Sequence, residues 1–143
     1  MDDLDEKLLG LLGENARLPV ATLAHRLGVA RSTVQTRLDR MEASGTIAGY
    51  TVRRGSAARA RKIRATALIT LEPRSLPTVI QRLKTLRPVI RAHTTSGRFD
   101  LILGLVAETT EELDRTLDEI GALPGVRGSE SLIHLSTRID KPV

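Results

Sequence analysis

With 143 residues, 41% of them hydrophobic and 27% charged, the chain has about the length of one globular domain and no bias toward disorder or collagen-like repeats. It contains no cysteine, which removes disulfides, thiolate nucleophiles and cysteine–zinc sites. Its only aromatic residues, Tyr50 and Phe99, are too few for a reader that stacks single-stranded bases.

The net charge of +5 is concentrated in one segment. Residues 1–50 carry a net −1 and residues 65–143 cancel, while Arg53, Arg54, Arg59, Arg61, Lys62 and Arg64 meet no acid between residues 51 and 64. Such a segment is the footprint of a polyanionic partner, most often nucleic acid. A solvated linker has the same composition, and Arg outnumbers Lys 18 to 4, a ratio that genome composition alone can produce. No window holds the ~20 apolar residues of a membrane helix, and Asp2, Asp3 and Asp5 are wrong for a signal peptide. A cytoplasmic, nucleoid-associated chain with no membrane partner is expected.

The first fifty residues read as helices. Asp2 caps the first, with Asp5 as its reciprocal partner, and Leu4, Leu8, Leu11 and Leu12 form one apolar stripe that ends near Gly13–Asn15. Pro19 suits the first position of a second helix, which carries Val20, Leu23, Ala24 and Leu27 and stops at Gly28. A third helix runs from about Arg31 to Ser44, with Val34, Leu38 and Met41 inward and Gly45 closing it. Ile47–Val52 reads as a β-like wing. Two short helices around a glycine turn are the helix-turn-helix signature, although any αα-hairpin imitates it. On the outward side, Arg31, Ser32, Thr33, Gln35, Thr36, Arg37 and Arg40 offer donors. Arg and Gln suit base edges, and Ser and Thr suit phosphates.

After the basic segment the period changes to two. Ile63–Leu71 alternates as a strand. Ser75 caps a helix carrying Val79, Ile80, Leu83 and Leu86, ended by Pro88. Val89–Thr95 and Phe99–Val106 are strands joined around Ser96-Gly97-Arg98. Thr109 and Glu112 box a helix carrying Leu113, Leu117, Ile120 and Leu123, and Val126–Leu135 is the last strand. The order βαββαβ is the ferredoxin-like split motif, so the fold class is α+β. Both helices cover one sheet face, and Phe99–Val106 is apolar on both sides, so the bare face calls for a cover. A second copy of the chain is the simplest one.

The runs Leu4-Asp5-Glu6-Lys7-Leu8-Leu9, Leu23-Ala24-His25-Arg26-Leu27-Gly28-Val29, Arg31-Ser32-Thr33-Val34-Gln35-Thr36-Arg37-Leu38, Gly45-Thr46-Ile47-Ala48-Gly49-Tyr50, Ser96-Gly97-Arg98-Phe99-Asp100 and Leu123-Pro124-Gly125-Val126 together resemble the Lrp/AsnC, or feast/famine, family of transcription regulators. The resemblance implies a winged helix-turn-helix DNA-binding domain at residues 1–52, a basic linker at 53–62 and a βαββαβ effector-binding and oligomerisation domain at 63–143. It further implies homodimers that assemble to octamers, and a small-molecule effector such as an amino acid held between subunits. Its site would be the loop formed by His93, Thr95, Ser96, Gly97, Arg98, Phe99 and Asp100. Gly97 permits a tight turn, Asp100 accepts from an α-amino group, and Arg98 or backbone N–H groups meet a carboxylate. A plain hairpin turn also accounts for Gly and Asp here. Three departures from the family pattern stand out: Ala30 replaces a Ser cap on the third helix, Phe99 replaces a Tyr, and Ser129 and Ser131 replace threonines.

The reading is a sequence-specific regulator of double-stranded DNA, with Arg31, Ser32, Gln35, Thr36 and Arg37 nearest the bases, Thr33 and Arg40 also DNA-binding, and the segment from Arg53 and Arg54 to Arg64, with the wing, on phosphates or the adjacent groove. Two such helices would meet half-sites about 34 Å apart or a multiple of it. Two alternatives share the architecture. One is a siroheme decarboxylase-like enzyme using His93 or His134, and the other a nucleoid-compacting protein without an effector. Three scattered histidines and no phosphate-cradling glycine motif make a poor catalytic inventory. No catalytic residue, cofactor or metal is therefore expected.

Overall fold

The computed structural model describes residues 1–141, which divide into two compact units. The first comprises residues 1–53 together with the chain from Ile139, and the second residues 54–138.

The first unit is built on three helices: α1 (Asp3–Glu14), α2 (Val20–Leu27) and α3 (Arg31–Ala43). The Asp2–Asp5 capping box is present in full, with each carboxylate accepting from the other residue's backbone N–H. Gly28 closes α2 in the left-handed conformation (φ 67°), where a Cβ would be strained, and donates back to Ala24. Leu8, Leu23, Ala24, Val34, Leu38 and Met41 are buried together, so each helix contributes to one core. Two expectations need correction. Pro19 is the N-cap of α2 and not its first helical residue. Ile47–Val52 is irregular and not a strand: Ile47 N–H closes the end of α3 by donating to Met41 O at 2.9 Å, and Ile47 packs against the helical core. No facing strand accompanies the segment among the described residues of this unit.

The second unit opens with a single helical turn, α4 (Ser56–Arg59), which sequence periodicity does not show. There follow β1 (Ile63–Leu71), α5 (Leu76–Leu83), β2 (Val89–Thr94), β3 (Leu101–Ala107), α6 (Thr110–Ala122) and β4 (Val126–Ile133). The sheet order is β2-β3-β1-β4 with every pair antiparallel, which is the split βαβ topology. Ala65, Ala67 and Ile69 of β1 and Leu101, Leu103, Leu105 and Ala107 of β3 are buried with Val79, Leu83, Leu113 and Ile120 of the helices. The opposite pleat carries Arg64, Thr66 and Leu68 beside Val106, Gly104 and Ile102, and α5 and α6 bury their apolar residues on the other side of the sheet.

Several boundaries differ from the periodicity. Thr95 and Phe99 fall outside the strands, β4 ends at Ile133, and α5 ends at Leu83, well before Pro88. The Ser75 hydroxyl does not cap α5. It donates to Glu72 O at 2.6 Å and to Gly125 O at 3.3 Å, tying the start of α5 to the turn before β4. Gly125 has φ 96°, and a Cβ there would lie 2.4 Å from Ser75 Cβ, so this junction admits no side chain.

Candidate nucleic-acid interface and effector cleft

The recognition-helix candidate, α3, is fixed from one side only. Val34, Leu38 and Met41 are buried, while Arg31, Ser32, Gln35, Thr36 and Arg40 are exposed and Thr33 is half-buried. Ala30 occupies the N-cap with no side-chain bond. The first N–H groups of α3 therefore lack the side-chain acceptor that Ser supplies elsewhere, and a phosphate can accept from them. Gln35 Nε2 donates to Asp39 Oδ1 at 2.7 Å on the outward side.

Arg37 does something other than face outward. Its guanidinium pairs with Asp2 and, at 3.3 Å, with Asp5, so it latches α3 to the N-terminus of α1. The Asp5 carboxylate is only 5% exposed and Arg40 reaches it at 3.9 Å. Hydrogen bonding from Arg37, then from the Asp5 N–H, lowers the Asp2 pKa from 3.8 to about 2. The Asp2 hydrogen bond raises the Arg37 pKa in turn. Arg53 is also engaged: Nη2 donates to Glu14 O at 2.9 Å, a C-terminal carbonyl of a helix whose last turn carries no basic residue. Arg54 is exposed. The Tyr50 hydroxyl donates to Glu42 Oε1 at 2.7 Å and pins the irregular segment to α3, and that hydrogen bond raises the phenol pKa.

In the second unit the β2–β3 loop is a self-bonded turn. Gly97 has φ 104°, Thr95 N–H donates to Asp100 O at 3.0 Å, and the Thr95 hydroxyl donates to Phe99 O at 2.7 Å. Arg98 stacks over the Phe99 ring at 4.9 Å. Asp100 bridges to β1, with Oδ2 accepting from Leu71 N–H at 2.7 Å and its own N–H donating to Ile69 O at 2.8 Å.

Beside this turn lies an open cleft of about 390 Å³, within the size range of small-molecule sites. Leu71, Pro73 and Leu76 give it apolar lining, and Glu72, Arg74, Thr94, Thr95, Asp100 and Arg127 supply its polar and charged groups. Of the loop residues singled out by sequence, Thr95 and Asp100 line the cleft. Ser96, Gly97, Arg98 and Phe99 form the turn beside it, and His93, paired with Ile102, stands on the open sheet face. Sequence reading missed Glu72, Arg74 and Arg127. Arg74 takes the left-handed conformation (φ 68°) in the β1–α5 turn. Arg127 arrives through the β1–β4 register, which sets Leu71 against Val126, and its Nε meets Glu72 Oε1 at 3.4 Å. The Pro-Arg turn after an alternating strand was the available signal for the first; only the register gives the second.

The open face carries one more feature. Arg64 Nε is buried without a hydrogen-bond partner among the described residues, while Ile90 and Leu132 are 50% and 57% exposed. On the same face the Thr66 hydroxyl and His134 Nε2 are hydrogen-bonded at 2.8 Å.

Comparison with known proteins follows this division. Residues 1–42 match the AsnC-type helix-turn-helix domain and residues 64–143 match the Lrp/AsnC ligand binding domain. The HTH-type transcriptional regulator Rv2324 of Mycobacterium tuberculosis is 32% identical over 142 residues, covering 99% of this chain and 96% of the relative. The structure of E. coli AsnC superposes with a TM-score of 0.89 at 24% identity, covering 100% of this chain and 97% of that one. The regulator NMB0573 of Neisseria meningitidis, solved as an L-Met complex, superposes with a TM-score of 0.87 at 19% identity, covering 99% and 94%. The last two show the shared fold.

Proposed function

This chain belongs to the Lrp/AsnC family of DNA-binding transcriptional regulators, and from that premise we propose how its residues divide the work. The α3 helix enters the major groove, with Arg31, Ser32, Thr33, Gln35, Thr36 and Arg40 toward bases and flanking phosphates. Arg37, tied to Asp2 and Asp5, sets the seat of that helix and does not read bases. Arg54 and the rest of the basic segment hold phosphates, and Arg53, with one Nη2 N–H on Glu14 O, has its other donors for them. The observation that carries this reading is a helix locked by three buried apolar side chains whose opposite face is exposed and rich in donors.

The effector reading centres on the cleft. An α-amino acid has an ammonium group suited to Asp100 Oδ1 and a carboxylate suited to Arg74 or Arg127, and the Leu71, Pro73 and Leu76 lining suits an apolar side chain. The complex of the Neisseria relative with L-Met supports an amino acid as the class. A second copy of the chain covers the open sheet face, where Arg64 Nε, without a partner among the described residues, and the exposed Ile90 and Leu132 call for one. Higher assembly to an octamer and residence in the cytoplasm, on the nucleoid, complete the proposal. A decarboxylase role is less favoured because His93 and His134 stand on the open sheet face, and neither lines the cleft.

The test is calorimetry of the chain against the twenty amino acids, repeated with Asp100→Asn. The amide still accepts from Leu71 N–H but cannot pair with an ammonium. Saturable heat lost in the variant is the expected result, and no heat with any amino acid removes the effector reading.

A further inference from the structure

The outward side of α3 holds one pair of side chains bonded to each other. Gln35 Nε2 donates to Asp39 Oδ1 at 2.7 Å, one helical turn away, and both residues are exposed. A carboxylate in this place is costly for a helix that approaches a polyanion, since it repels phosphates and neutralises none. Its chemistry gives a reason for it. An ionised carboxylate only accepts, so Asp39 dictates which end of the Gln35 amide faces it: the nitrogen.

One N–H of Gln35 is thereby used. When the bond to Asp39 uses the N–H anti to Oε1, the edge left over carries Oε1 and the syn N–H side by side, one acceptor and one donor. Adenine shows the complementary pair in the major groove, with N7 accepting and the N6 amino group donating. A glutamine without such a buttress presents its amide in either sense and loses side-chain freedom when it docks. Fixed by Asp39, it offers the adenine-reading edge before DNA arrives. We propose that Asp39 is a specificity-determining residue that holds Gln35 in the orientation that reads adenine, at one position of each half-site. This rests on the reading that α3 lies in the major groove.

The experiment uses the full chain. Duplexes are selected from a random pool, and affinities are then measured for the selected site with each base pair replaced in turn, for the wild type, Gln35→Ala and Asp39→Ala. The wild type should prefer adenine at one position per half-site by about tenfold or more. Both variants should bring that position to within about threefold while leaving the other positions unchanged, and Asp39→Ala should bind unrelated duplexes more tightly because a negative charge has gone. Unchanged melting curves would verify that these exposed substitutions leave the fold intact. If Asp39→Ala keeps the adenine preference that Gln35→Ala loses, the buttress is wrong although the groove reading stands. If Asp39→Ala instead loses a cytosine preference, Asp39 reads the base itself and the proposal is overturned. A wild type that selects no motif, or variants that change no position, would overturn the placement of α3 together with the buttress.

Discussion

Arg37 shows how position on a helix outweighs residue type. At about 100° per residue, it lies only about 60° around α3 from the Val34–Leu38–Met41 core, against the start of α1, whereas Ser32 and Thr36 lie opposite. Read as one of a run of donors it belongs with the DNA face; on the helical wheel it flanks the core, as Arg31 does on the other side, and what sets Arg37 apart is the Asp2–Asp5 box that supplies its partner. Two predictions follow from that latch. Arg37→Ala should lower the melting temperature and leave the slope of log K against log salt nearly unchanged, because its charge is already paired. Arg31→Ala should reduce that slope by about one and spare the melting temperature. A loss of one unit of slope in both would place Arg37 on phosphate after all. The second prediction concerns acid. Asp2 is held at about 2, below its usual 3.8, so its contribution is present above about pH 4 and is lost as pH falls through about 2. Circular dichroism should record helix loss between those values, and Asp2→Asn, which keeps the capping oxygen but not the charge, should flatten that part of the titration.

Elements with local causes were legible in the sequence, and those with remote causes were not. The capping box of α1, the glycine stops after α2 and α3, and the alternation in β1 and β3 each depend on residues a few positions apart. The wing expected at Ile47–Val52 failed for the opposite reason. A strand needs a neighbour, and a segment without one follows the nearest available bonds, here Ile47 N–H to Met41 and the Tyr50 hydroxyl to Glu42. The cleft was half legible: Thr95 and Asp100 share a turn with its glycine, but Arg127 joins them only through strand register. Gly125 is another case of remote cause. Its φ of 96° resembles the 104° of Gly97, yet a Cβ meets Ser75 at 2.4 Å in the first and nothing within 4 Å in the second. Gly97→Ala should cost about 1–2 kcal/mol from backbone strain. Gly125→Ala should cost about 1–3 kcal/mol more from overpacking. Urea denaturation of the two variants measures the difference, and equal midpoints would show that the Ser75 contact relaxes freely.

The chain as a whole distributes charge and apolar surface unequally. Excess positive charge lies in residues 51–64, and uncovered apolar surface lies on the sheet face that carries Ile90, Ile102 and Leu132. If two copies meet on that face, each assembly brings two recognition helices and two basic segments to one duplex, so its salt dependence reflects both. Leu132 is 57% exposed in the single chain, so Leu132→Asp costs little within one fold but puts two charges into a dry two-fold interface. Sedimentation should then give a folded monomer where the wild type gives a dimer or a multiple of it. On an operator with two half-sites, the monomer's slope of log K against log salt should fall to about half, since half as many phosphates are neutralised per binding event. A wild-type monomer, or a variant that keeps its mass, would mean that something other than a second copy covers this face. The halved slope separates a true loss of pairing from a general weakening, because a weakened dimer keeps its full count of phosphate contacts and shifts the line without tilting it.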